Sequence, residues 1–169
     1  MMAAKKDANK AANKAANKRA GRKPQRPVPA DGQPFMSRIG AWLAARGQTP
    51  FAFQREVWAA MLAGRSGLVH ATTGSGKTYA VWMGAMARAH EAARKAEVAV
   101  EGKGDVIGDV SPLQVLWITP MRALASDTAK ALRDPLPELM PAWAVGMRTG
   151  DTPSAERSKQ DRRMPQALV

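Results

Sequence analysis

The chain has no cysteine. That excludes disulfide cross-links and thiolate metal centres, and it fits a reducing compartment. Acidic residues are scarce: 14 stand against 26 Lys and Arg, leaving a formal net charge of +12. No apolar run approaches the roughly 18 residues needed to cross a bilayer. No apolar segment of signal-peptide type follows the basic start. These absences lead to the expectation of a cytoplasmic protein with no membrane association.

The positive charge is uneven. Residues 1–30 hold nine Lys or Arg and one acid, Asp7, so most of the surplus belongs to this end. The segment carries three near-copies of one tetrapeptide, ending at Lys10, Lys14 and Lys18. Almost nothing in it is apolar enough to pack, and Pro24, Pro27 and Pro29 break any helix. Residues 1–33 are therefore expected to form a disordered basic tail, and residues 34–169 a single domain. The basic surplus suggests a polyanionic partner through counterion release, or a merely solubilising extension.

The stretch Leu68 to Thr78 organises the rest. Gly67 to Ala71 is a short apolar run that reads as a buried strand. Thr72, Thr73, Gly74, Ser75 and Gly76 follow, small and glycine-rich, and Lys77-Thr78 opens an Ala-rich helical pattern. Strand, glycine loop and helix in that order make a phosphate-binding loop. Glycine accepts positive φ, so successive N–H groups can converge on one anion at the positive end of the helix. Lys77 would reach the β- and γ-phosphates of a nucleotide as a point charge. Thr78 would place its hydroxyl on Mg²⁺. The usual pattern begins with glycine; Ala71 stands at that position. The plainer alternative is a Gly/Ser turn between a strand and a helix.

Elsewhere the periodicity is helical or strand-like. Phe35, Ile39, Trp42 and Leu43 share one helix face, with Gly47 as the stop. Thr49 and Pro50 read as N-cap and first-turn proline of a second helix reaching Ala63, with Val57, Trp58, Met61 and Leu62 inward. A third helix runs on from Thr78 and turns polar beyond Ala89. His90 is expected on its solvated face, and His70 packed beside the loop. Val98 to Pro112 reads as a surface loop. Leu113 to Thr119 reads as a strand of a parallel sheet covered on both faces, and a helix follows it to Arg133. Ala142 to Met147 is a third strand, a short helix opens at Pro153, and Gln166 to Val169 begins another strand. The fold class is α/β, a parallel sheet with flanking helices and sites at the carboxyl ends of the strands.

Four stretches in order resemble the N-terminal RecA-like lobe of superfamily 2, Lhr-like DEXH-box DNA helicases, with the ligase-associated bacterial branch as the nearest group. They are T-P-F-A-F-Q-R-E-V-W, A-T-T-G-S-G-K-T, W-I-T-P-M-R-A-L-A-S-D-T and R-T-G-D-T-P-S-A-E-R. Superfamily 2 members commonly carry Ala at the first position of the loop, which accounts for Ala71. By this resemblance Lys77 and Thr78 are catalytic. Phe51, Gln54, Thr72, Thr73, Gly74, Ser75, Gly76, Lys77 and Thr78 hold ATP and its Mg²⁺. Gln54 reads adenine, since an amide can donate to N7 and accept from the N6 amine in one plane. Pro120, Arg122, Ala123, Thr149 and Gly150 contact DNA, single-stranded or partly duplex. A helix N-terminus and one Arg suit a phosphate, although a generic βα loop with an incidental Arg reads the same way.

The family implies an ATP-driven DNA translocase with a role in repair, beside partners such as a ligase. The sequence contains no adjacent Asp-Glu pair. The acids that hold Mg²⁺ and orient the attacking water in such helicases are thus missing. The expectation is an incomplete lobe, cut before the DEXH box, that binds ATP and hydrolyses little. The alternatives are a non-catalytic basic nucleic-acid-binding module and a DEAD-box-type RNA helicase. A small-molecule kinase loop would leave Gln54 and the Arg122 stretch unexplained.

Overall fold

The computed structural model describes residues 34–100 and 113–169. The expected basic tail and most of the expected loop between Val98 and Pro112 lie outside the described residues.

Helix α1, Phe35–Ala44, buries Phe35, Ile39, Trp42 and Leu43, the expected face. Its chain reverses at Gly47, whose φ of 68° is left-handed, while the Gln48 N–H donates to the Leu43 carbonyl at 3.0 Å. Helix α2, Ala52–Leu62, starts later than its sequence suggests. Phe51, not Thr49, is the N-cap. The cause is Gln54, whose Oε1 accepts the Phe51 N–H at 3.0 Å and takes the place of a hydroxyl cap. The inward face also differs. Trp58 is buried and Val57 and Met61 are half-buried, but Leu62 is exposed. Contact with the next helix runs along Gln54, Trp58 and Met61, and Leu62 lies a further 100° or so around the helix.

Helix α3, Lys77–Val100, is the longest element and carries the centre of the core. Ala80, Trp82, Met83, Met86 and Ala87 are buried on it. Gly84 lets α2 approach: a Cβ there would sit 2.6 Å from Met61 Sδ. His90 is not on a solvated face. Its ring stacks on Phe35 with centroids 4.7 Å apart, because α1 crosses α3 at that turn, and its Nδ1 is buried without a partner. His70, expected to pack, is exposed.

Three parallel strands follow, each two residues long: β1 Val115–Leu116, β2 Val145–Gly146 and β3 Ala167–Leu168. Helix α4, Arg122–Arg133, and the short α5, Leu136–Leu139, connect β1 to β2; α6, Ser154–Arg162, connects β2 to β3. The order is β1-β3-β2, with Ala167 opposite both Val115 and Val145. The last strand is therefore the central one, and Ala167, Leu168 and Val169 are all buried. The Trp117 N–H donates to the Leu168 carbonyl at 2.8 Å, and Val169 to Gly146 at 3.1 Å. Among the described residues no helix is long and apolar enough to cross a membrane.

Two sheet expectations fail. Residues 67–71 form no strand, and Leu68 is 95% exposed. A strand exists through its ladder, and no described segment offers this one a partner. The expected cover on both faces is also absent along β1. Burial alternates from Leu113 to Pro120, leaving Leu116 61% and Ile118 83% exposed. The α5 helix has no counterpart among the elements that the sequence pattern suggests.

Polar contacts tie the helices together. The Arg46 guanidinium lies over the Trp42 ring at 3.6 Å and bonds Glu138 at 3.0 Å. Tyr79 donates to Asp134, and burial, with the Asp134 carboxylate adding to it, raises its phenol above the ordinary range. Arg133 donates to the Val145 carbonyl and so fixes the end of α4 against β2. In the core, the fully buried Trp82 donates its indole N–H to the Leu132 carbonyl at 3.0 Å and meets Trp143 edge-on. Trp82→Ala should destabilise the domain by about 3–5 kcal/mol, and Trp82→Phe by roughly 1 kcal/mol beyond its volume change, in urea unfolding followed by circular dichroism.

Candidate nucleotide site and nucleic-acid edge

The glycine loop is bent as its composition requires. Gly74 and Gly76 have φ of 81° and 83°, values that L side chains resist. The Ser75 hydroxyl donates to the Thr72 carbonyl at 2.7 Å, closing a tight turn. Lys77 then folds back over it. Its Nζ donates to the carbonyls of Ala71 at 2.6 Å and Thr72 at 2.7 Å. The backbone N–H groups of Gly74, Gly76, Lys77 and Thr78 find no acceptor among the described residues. Those nitrogens stand at the start of α3, where the helix dipole adds positive potential.

Gln54 joins this loop to α2. It is 5% exposed, so it is not a surface glutamine. Its Nε2 donates to the Gly76 carbonyl at 3.1 Å while its Oε1 holds the Phe51 N–H. The Gly76 carbonyl also accepts from Ala80, the first regular bond of α3. One N–H and one lone pair of the amide remain for another partner. Phe51 is exposed beside it, and its ring stacks with that of Phe53 at 6.0 Å. Thr72 and Thr73 are exposed on the turn, and Thr78 lies half-buried on the first helical turn. Thus Phe51, Gln54 and residues 72–78 come together around one helix start.

No cluster of three or more His, Cys, Asp or Glu suited to a metal occurs among the described residues. The Thr78 hydroxyl has no protein partner there. This donor set fits Mg²⁺ only as an ion that arrives with phosphates and keeps its waters.

The second cluster lies at the carboxyl ends of β1 and β2. Pro120, Arg122 and Ala123 are exposed at the start of α4. Thr149 and Gly150 face them on the turn after β2, and the residues from Leu116 to Arg122 and from Arg148 to Gly150 line one hollow of about 370 Å³. The turn is pinned internally: the Thr149 N–H donates to the Thr152 hydroxyl at 2.8 Å. The hollow is not purely cationic, since Arg122 is paired with Asp151.

Sequence reasoning passes over the residues that brace this turn. Gln160 is buried, accepting from Arg148 Nε at 3.1 Å and donating to the Met147 carbonyl at 3.3 Å. Arg148 also bonds Asp161, and Arg157 donates to the carbonyls of Thr149 and Gly150. In the sequence these are only charges on a short polar helix. The spacing of Glu156 and Gln160, four apart on one face, is the single available signal.

The family model for the DEAD/DEAH box helicase matches residues 51–169. The chain belongs to the DEAD/DEAH box helicase family. Among curated relatives it is 31% identical over 145 residues to the Lhr helicase/probable uracil glycosylase of Mycolicibacterium smegmatis, covering 80% of this chain. It is 32% identical over 139 residues, 76% of this chain, to the Lhr helicase/uracil glycosylase of Escherichia coli. It spans only 9% and 8% of those two relatives' own lengths. The structure of the Mycobacterium smegmatis helicase Lhr bound to ssDNA and AMP-PNP superposes with a TM-score of 0.54 at 28% identity, covering 78% of this chain and 16% of that one. The three-stranded parallel sheet and its helices are thus part of a helicase RecA-like lobe.

Gly76 is the position where loop and capping meet. A Cβ there would lie 2.7 Å from Gln54 Nε2 and would carry a left-handed φ. Gly76→Ala should cost about 1–2 kcal/mol in urea unfolding from the backbone alone. It should also weaken binding of a fluorescent ATP analogue, measured by titration on the same samples.

Proposed function

We infer that this chain is the ATP-binding start of an ATP-dependent DNA helicase or translocase. The reading rests above all on the bent loop of residues 72–76, whose unpaired N–H groups share a helix start with the ammonium of Lys77. A triphosphate is the anion that suits several convergent N–H donors and one mobile ammonium. Lys77 would leave the carbonyls of Ala71 and Thr72 to meet the β- and γ-phosphates. Thr78 would hold Mg²⁺, which when bound supplies charge neutralisation between those phosphates. Gln54 would place the base through its remaining donor and acceptor, with Phe51 beside it. The likeness to a helicase captured with ssDNA and AMP-PNP supports the same pair of ligands here.

DNA would lie along the second cluster, on the first turn of α4 and the turn at Thr149 and Gly150. Lys159, Arg162 and Arg163 on and after α6 are exposed and have no acidic partner among the described residues. A role in DNA repair agrees with the uracil-glycosylase part of two relatives' descriptions. This stretch has no Asp-Glu pair to hold the metal and orient water, so nucleotide binding without appreciable turnover is its expected activity.

The second reading, a basic nucleic-acid-binding module without nucleotide, is favoured by one observation, the charge concentrated in residues 1–30. Equilibrium titration separates the two. Lys77→Ala should weaken Mg-ATP binding at least tenfold, and deletion of residues 1–30 should leave it unchanged while nonspecific DNA affinity falls. Equal ATP affinity in wild type and Lys77→Ala would overturn the nucleotide assignment and leave the basic module standing.

A further inference from the structure

Arg122 makes a close ion pair with Asp151 although both side chains are 69% exposed. Pairs this open to water add little to stability, so the geometry calls for another explanation. Both hydrogen bonds go through a single nitrogen: Nη1 donates to Oδ1 at 2.7 Å and to Oδ2 at 2.6 Å. Nε and Nη2 have no acceptor among the described residues. The guanidinium is also laid against Gly150. A Cβ at that position would sit 3.1 Å from Nη2, 3.6 Å from Cζ and 3.9 Å from Nε. The fork of donors is thus held at one corner by a carboxylate and backed by a residue without a side chain.

The support beneath is stiff. Arg157 donates to the carbonyls of Thr149 and Gly150, and the Asp151 N–H donates to the Thr149 hydroxyl. The Thr152 N–H closes the turn on the Thr149 carbonyl at 3.2 Å. Asp151 therefore sits on a fixed base, and its own carboxylate bonds nothing else in the described residues than Arg122.

We propose that Asp151 is a positioning residue for nucleic-acid binding: it clamps Arg122 by Nη1 so that the Nε–Nη2 edge is presented to a backbone phosphate. Two parallel N–H groups on that edge match two phosphate oxygens. The clamp removes rotamer freedom that Arg122 would otherwise give up on binding. This inference rests on the reading of Arg122 as a phosphate ligand, and it deepens that reading by naming what aims it.

Simple charge counting gives the opposite sign, which makes the idea testable. Deleting an anion beside the nucleic-acid path should tighten binding if Asp151 only repels phosphate. If Asp151 positions Arg122, Asp151→Asn should weaken binding roughly two- to tenfold, the cost of ordering one long side chain. Binding of a fluorescein-labelled single-stranded oligonucleotide to the full chain is measured by anisotropy across a salt series. Arg122→Ala is expected to weaken binding and to lower the salt slope by about 0.7, the share of one phosphate on a single strand. Asp151→Asn should weaken binding with the slope unchanged, because Arg122 still reaches the phosphate but does so less often. In the Arg122→Ala background Asp151→Asn should weaken binding no further. Arg122→Lys, which keeps the charge without the two-nitrogen edge, should behave like Asp151→Asn in affinity.

Equal or tighter binding by Asp151→Asn, with Arg122→Ala still weakened, overturns the positioning role alone. Additional weakening in the double variant also overturns it, since Asp151 would then act apart from Arg122. Unchanged affinity and slope in Arg122→Ala would remove the phosphate reading of Arg122 and this proposal together. Because the Asp151 carboxylate bonds only Arg122, the substitution leaves the turn's backbone bonds in place, and matched thermal unfolding midpoints check that.

Discussion

Burial of the first three turns of α3 is the constraint on which the candidate nucleotide site depends. Trp82, Met83 and Met86 are fully enclosed, and the Trp82 indole N–H is tied to Leu132 on α4. A helix fixed this firmly cannot rotate, so its unpaired N–H groups at Lys77 and Thr78 point one way. The glycine loop needs only to turn back toward that start. Gln54 completes the arrangement from the other side by sharing the Gly76 carbonyl with Ala80. Packing energy in the core is thereby converted into orientation of a few backbone nitrogens.

The two clusters use charge in different ways. At the loop the positive potential comes from backbone dipoles and one Lys, and no described acid pairs with that Lys. At the edge the guanidiniums around the turn are already engaged: Arg122 with Asp151, Arg148 with Asp161 and Gln160, Arg157 with two carbonyls. The first arrangement leaves donors open for an anion. The second commits part of each cation to shape, so that the turn at Thr149 and Gly150 is rigid before any partner arrives.

What the sequence disclosed follows from what physics is local. The apolar face Phe35, Ile39, Trp42 and Leu43 repeats with helical period, and the glycine stops at Gly47 and Gly64 need left-handed φ; both were legible without tertiary information. The bend of the loop was legible for the same reason. Contacts made across the chain were not. Gln54 as a tether to Gly76, Gln160 as a brace and the stacking of His90 on Phe35 each need a neighbour that sequence distance hides. Arg122 was legible as a cation at a helix start, whereas its pairing with Asp151 was not, because the two are 29 residues apart.

The failure at residues 67–71 is the most instructive, because its residue types are right for a strand and its surroundings are not. Leu68, Leu116 and Ile118 are apolar and exposed. Covering such side chains would be worth up to roughly 1.5–3 kcal/mol each, and that burial is unused. The described residues are part of a lobe, and in them these positions stay largely open to water. The segment before the glycine loop therefore lacks a ladder to hold it. Lys77 supplies the substitute: its ammonium gathers the carbonyls of Ala71 and Thr72 and closes the loop from the side where strand pairing is absent. The same ammonium is the group a triphosphate would claim. Anion binding and loop closure thus compete for one side chain, and the competition eases only where the segment before the loop is held by other means.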